Sequence, residues 1–154
     1  MTARAARPVL SAAVPEDMPA LAHILGDWVR STGWMPVLHS REDDRAFIAR
    51  LIAGNCVLVA RSEAGGAPLG FIAVRLCDIV ALHVADGHRG RGLGKALLDA
   101  AKAREPRLVL WTFQANSAAI AFYLREGFVE IERTDGAGNE EGLPDVRMIW
   151  RCKA

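Results

Sequence analysis

Residues 83–103, HVADGHRGRGLGKALLDAAKA, pass from an apolar run through a basic, glycine-rich turn into a segment with helical spacing. Glycines at 90, 92 and 94 open backbone conformations closed to other residues and clear side chains from in front of a ligand. The N–H groups opening the next helix point forward, where its dipole favours an anion. Arg89, Arg91 and Lys95 add positive charge. A pyrophosphate fits these features. Two familiar phosphate loops do not. A Walker loop needs Gly where Arg89 stands and Ser or Thr where Ala96 stands, and a dinucleotide fingerprint from Gly90 needs Gly in place of Lys95. The plain alternative is a strand-to-helix turn, which three glycines in five residues beside two arginines make the weaker reading.

The elements that would position this turn follow from punctuation and period. VLSAAV (9–14) reads as a strand. A helix follows Pro15, Glu16 and Asp17, with Leu21, Ile24, Leu25 and Trp28 at helical spacing and Gly33 as its stop. A second helix, 41–54, has Ser40 as cap, an apolar stripe of Phe47, Ile48, Leu51 and Ile52, and Gly54 at its end. Two apolar runs around SEAGGAP form a hairpin, and DIVALHVA (78–85) is a further strand. Leu93–Arg104 is a helix with Leu97, Ala100 and Ala101 on one side, closed by Pro106. RLVLWTF (107–113) reads as a central strand. A helix runs from Asn116 to Gly127, and FVEIERT and DVRMIWR are strands around DGAGNEEGLP. The order is β-α-α-β-β-β-α-β-α-β-β: a mixed α/β (α+β) domain with a mostly antiparallel sheet flanked by helices and one strand-helix-strand crossover.

Composition narrows the class. The 154 residues suit one domain, 1–154, with half of them apolar and a net charge of only +1. That balance argues against nucleic acid and against an anionic membrane as partners. No apolar run approaches the roughly 20 residues that span a bilayer. The start, with Arg4 and Arg7, reads as neither a secretory signal nor a transit peptide. Cys56, Cys77 and Cys152 are odd in number, widely spaced and form no metal-ligand pattern. They read as small buried hydrophobes in a reducing, cytoplasmic setting.

Arg89-Gly90-Arg91-Gly92-Leu93-Gly94 resembles the Arg/Gln-x-x-Gly-x-Gly/Ala signature of the GCN5-related N-acetyltransferases, the GNAT superfamily. ALHVADGHRGRGLGKALL is similar to that family's fourth strand and third helix, and ANSAAIAFYLREGFVEI to its Asn-initiated fourth helix. The likeness is strong from Asp78 to Ile131 and looser before it. It implies acetyl-CoA as co-substrate, bound where two parallel strands splay apart. Backbone groups of Leu82, His83 and Val84 would pair with the pantetheine arm, and one N–H would polarise the thioester carbonyl. Backbone N–H groups from Gly90 to Lys95 would hold the pyrophosphate, and Asn116 would contact the pantetheine or thiol end. Transfer in the family is direct, without an acyl-enzyme.

The only tyrosine, Tyr123, stands at the family's general-acid position. The base stays open. Asp78 matches the family's fourth-strand Glu with a shorter carboxylate, while the fifth-strand Glu position holds Trp111, which cannot act as a base. His83, His88 and a water chain are the rivals. In this fold the acceptor enters between the first two helices and the last hairpin. Trp28, Trp34 and His39 stand on one side, and Glu140 and Glu141, with Asp135 and Asp145, on the other. A cationic amine suits that set. A solvated hairpin tip and core tryptophans are the equal alternative. The reading is an N-acetyltransferase for a small primary amine, with a protein or peptide acceptor, or a non-catalytic acyl-CoA-binding module, as alternatives. By family analogy it forms a homodimer.

Overall fold

The computed structural model describes residues 7–153; Arg4 of the N-terminal reading lies outside them. The strands are β1 (Val9–Ala12), β2 (Val57–Arg61), β3 (Pro68–Arg75), β4 (Asp78–Val84), β5 (Arg107–Phe113), β6 (Val129–Thr134) and β7 (Asp145–Arg151). The helices are α1 (Met18–Ser31), α2 (Arg41–Ala53), α3 (Leu93–Arg104) and α4 (Ser117–Arg125), and a single 3-10 turn, Pro15–Asp17, precedes α1. One seven-stranded sheet holds the order β1-β2-β3-β4-β5-β7-β6. Every neighbouring pair is antiparallel except β4 and β5, which α3 joins as the expected crossover.

Local chemistry sets the boundaries. The Ser40 hydroxyl accepts from the Asp43 N–H at 3.1 Å, while the Asp43 carboxylate accepts from the Ser40 N–H, so α2 begins with a reciprocal cap. Asn116 caps α4 by accepting from the Ala119 N–H at 3.1 Å. Two apolar layers sandwich the sheet. Leu21, Ile48, Leu51, Val59 and Phe71 bury α1 and α2 against one face, and Leu97, Leu98, Leu108, Phe128 and Met148 bury α3 and α4 against the other. None of the three cysteines belongs to the deep core. Cys56 and Cys77 are half-buried at strand ends and Cys152 is exposed beyond β7, which corrects the expectation of buried thiols.

One irregularity shapes the centre. Ala73 of β3 faces Ala81 of β4, but Val74 faces Ile79, so Val80 is an extra residue in β4. Such a bulge bends its strand and sharpens the local twist. Pairing between β4 and β5 stops at the same place. It holds for Asp78–Val109 and Ile79–Leu110 and goes no further, although both strands continue.

Candidate active site

Beyond Ile79 the parallel strands part and leave a cavity of about 210 Å³, lined by Leu82, His83, Trp111, Phe113, Asn116 and Tyr123 among others. Backbone alternation decides what β4 offers there. The Ala85 N–H donates to Leu69 of β3 at 2.7 Å. Ala85 and His83 therefore turn their backbone groups to β3, and Leu82 and Val84 turn theirs to the gap. The Val84 carbonyl accepts from Arg89 Nε at 3.3 Å. The Leu82 N–H and C=O and the Val84 N–H are left facing the cleft. Of the three residues the sequence points to, His83 lends its ring rather than its backbone.

The glycine turn lies just beyond. Gly90 and Gly92 have φ of 77° and 82°, left-handed conformations that favour glycine, and Gly92 opens α3 from that position. No atom lies within 4 Å of where a Cβ would stand at either residue. That space, faced by uncapped first-turn N–H groups of α3, fits a phosphate group. Arg89 and Arg91 are exposed at the turn. The Lys95 ammonium is engaged elsewhere, 2.9 Å from Glu126 Oε1 and 3.3 Å from Asp99 Oδ2, and these carboxylates raise its pKa. Lys95 therefore faces the turn through its backbone.

Tyr123 is buried on α4, edge-on to Phe122 and Phe128, and reaches the cleft. Burial holds its phenol well above the ordinary range, so it keeps its proton. His83 packs 5.1 Å from the Trp28 ring and 5.8 Å from Phe71. Burial first, and then the charge of Arg89, lowers its pKa to about 4, so the ring is neutral and a weak base. Asp78 sits where β4 and β5 are still paired. Its half-exposed carboxylate lies 4.0 Å from Arg147, whose guanidinium stacks 5.3 Å from the Trp111 ring. Asp78 is thus one side chain removed from the cleft wall. His88 lies in the turn after β4, outside that wall.

A larger cavity, about 590 Å³, adjoins the cleft between α1, α2 and the β6–β7 loop. Trp28, His39, Glu140 and Glu141 line it, as the sequence pairing of these segments suggests. Trp34 stands behind, edge-on to Trp28 at 6.0 Å and to Phe113 at 5.7 Å. The loop's acids divide. Buried Asp145 takes hydrogen bonds from the Thr134 hydroxyl and from Asn139 Nδ2, and Asp135 accepts from the Ala137 N–H, so both build the loop. Gln114 ties the same loop to β5 through the Thr134 and Asp145 carbonyls. Phe47, Arg50 and Phe113 also line the cavity, and Asn139 and Gln114 brace it, without any motif to announce them. Trp28 and Phe113 line both cavities.

A family model described as "Acetyltransferase (GNAT) domain" matches residues 53–130, just over half of the chain. The chain belongs to the GNAT family. The match runs from the end of α2 to the start of β6 and so takes in the splayed strands, the glycine turn and α4. This GNAT chain is 29% identical over 147 residues to the peptidyl-lysine N-acetyltransferase YiaC of Escherichia coli (strain K12), covering 87% of the chain and 90% of that protein. The ribosomal-protein-alanine N-acetyltransferase of Brucella melitensis has the same fold, with a TM-score of 0.73 and 25% identity over 93% of this chain and 99% of that one. So does the yncA protein of Salmonella typhimurium, solved with its cofactor acetyl-CoA, at a TM-score of 0.73 and 20% identity over 96% and 95% of the two chains. As a GNAT acetyltransferase the chain is an N-acetyltransferase with acetyl-CoA as co-substrate.

Proposed function

We propose that the chain moves an acetyl group from acetyl-CoA directly onto the primary amine of a small cationic molecule, both substrates being bound together and no acyl-enzyme forming. The observation that carries this reading is the junction of the two cavities at Trp28 and Phe113. An amine seated in the larger one stands beside whatever lies between the splayed strands, which suits direct attack. When bound, acetyl-CoA supplies the thioester carbonyl and the thiolate leaving group.

The roles of the chain follow. Leu82 and Val84 bind the pantetheine arm as an added strand, and one gap-facing N–H stabilises the developing oxyanion. Backbone N–H groups from Gly90 to Lys95, including Leu93 and Gly94, hold the pyrophosphate, with Arg89 and Arg91 supplying charge. The Asn116 carbonyl oxygen is used by its own helix, so its amide NH₂ is the group left for the cofactor arm. Tyr123 protonates the departing sulfur. Among the described residues no carboxylate lines the cleft, and His83 is too weak a base, so the ammonium loses its proton to water, with Asp78 at the outer end of the relay. Glu141 faces the acceptor cavity with no ion pair among the described residues and meets the ammonium, with the Trp28 ring beside it.

A second reading, transfer to a lysine of a protein or peptide, is favoured by the likeness to the E. coli peptidyl-lysine enzyme. We also infer a cytoplasmic protein, consistent with its free cysteines, with one acetyltransferase domain over 1–154 and, by family analogy, a homodimeric assembly. The test has two steps. Thermal unfolding with acetyl-CoA, CoA, ATP and NAD should show stabilisation by the first two alone, about 2.7 kcal/mol at roughly a hundred times Kd. Initial rates against acetyl-CoA and amine should then give intersecting reciprocal plots. Parallel plots would sink direct transfer, and no stabilisation would sink the cofactor site.

A further inference from the structure

The α1–α2 segment and the β6–β7 loop face each other across the acceptor cavity, and one contact joins them. His39 Nε2 lies 2.5 Å from Glu140 Oε1, between residues 101 positions apart in the chain. Each segment is otherwise tied to β5 rather than to the other: Gln114 holds the β6–β7 loop, and Trp34 packs on Phe113. The β6–β7 loop is braced internally by Asn139, whose side chain donates to Leu143 at 2.8 Å and to Asp145 at 3.1 Å. The α1–α2 segment has no regular structure over 32–40 and exposes Val37 and Leu38. We propose that the His39–Glu140 pair is a specificity latch: it ties the irregular α1–α2 segment to the braced loop at the acceptor cavity, so that a small free amine enters and a lysine carried on a polypeptide is held out. This rests on the acceptor reading above.

The geometry gives the reason. A polypeptide presenting a lysine must lay main chain across the groove on both sides of the side chain. His39 and Glu140 both line the cavity from opposite segments, so their contact would stand across that path. A free amine needs only the pocket beneath it. The latch is also reversible, because both partners are half-exposed and such pairs are weak. The groups facing His39 fix the direction of its pH response. Glu140 comes from the loop, Asp43 lies 4.0 Å from its Nδ1 and Asp44 stands behind, both on α2. From α1, Arg30 donates to the His39 carbonyl at 3.1 Å, while its charge is met by Asp44 at 3.2 Å. The hydrogen bond and charge of Glu140 raise the imidazole pKa above its ordinary 6.5. The pair therefore loosens as pH rises through the raised value.

The test uses the full chain and the half-exposed substitution Glu140→Gln. An NMR titration of the His39 ring should give a raised midpoint that falls back toward the ordinary value in the variant. Amide protection over 33–40, with the pH dependence of intrinsic exchange divided out, should fall in the variant, and in the parent above the midpoint. With 1,5-diaminopentane and an N-acetylated peptide bearing one internal lysine as probes, kcat/KM for peptide relative to diamine should rise by roughly tenfold in E140Q. An unchanged ratio, or protection that ignores both pH and substitution, overturns the latch. If neither probe drives thiol release, the small-amine reading fails, and titration and exchange still decide the latch.

Discussion

Tyr123 and Asp78 divide the proton work of the proposed reaction, and their surroundings differ accordingly. Tyr123 is buried, with its phenol held protonated, at a cleft where no other protein group among the described residues takes its hydrogen bond. A group in that state can donate to a leaving thiolate and has little structural work to lose. Tyr123→Phe should lower kcat by roughly a hundredfold or more while leaving the KM for acetyl-CoA within a few-fold, the mark of general-acid loss. Asp78→Asn should lower kcat/KM and change its profile against pH. Profiles that superpose in the variant would take Asp78 out of the relay. The sequence motif singles out Tyr123 and the glycines because their roles depend on local spacing. It does not choose among base candidates, because their surroundings come from distant segments: Arg147 reaches Asp78 from a strand nearly seventy positions away.

At the scale of elements, the glycine turn is where sequence and structure agree most closely. Gly92 and Pro106 punctuate α3, whose observed span, Leu93–Arg104, is the span their positions predict. Gly92→Ala tests the turn on two counts. A left-handed φ of 82° costs a non-glycine residue about 1–2 kcal/mol. The new methyl also enters the open space in front of α3, so the KM for acetyl-CoA should rise by roughly tenfold with kcat less affected. Steady-state kinetics beside a urea melt separate these effects, and an unchanged KM would remove the pyrophosphate from this turn. Other features of the elements were not legible. Apolar runs identify β4 and β5 as strands, but neither run says that pairing ends at Ile79 or that Val80 is a bulge. Likewise, the composition of the β6–β7 loop shows four acids without showing that Asp135 and Asp145 hold the loop while Glu140 and Glu141 face the cavity. Those outcomes depend on Asn139, Thr134 and Gln114, which satisfy backbone and carboxylate groups in three dimensions.

For the whole molecule, His83 links site and stability. Its ring lies between Trp28 of α1 and Phe71 of β3, where the acceptor-side helices meet the sheet. In the folded protein its pKa is about 4, against an ordinary 6.5 when unfolded. Between those values the unfolded chain binds the extra proton, so stability rises with pH through the window and is lost as pH falls through it. The His39 pair slopes the other way, its contribution fading as pH rises, but a half-exposed pair is a small term beside a ring packed between Trp28 and Phe71. Going from about pH 7 to about pH 5, His83 alone should remove about 2 kcal/mol of folding stability. Urea unfolding at the two pH values, in parent and in His83→Gln, isolates the group because other titrations are common to both proteins. The parent should lose more stability than the variant by about that amount. Equal losses would mean that the ring takes its proton without unfolding the seam, and that the packing of α1 on the sheet does not depend on a neutral His83.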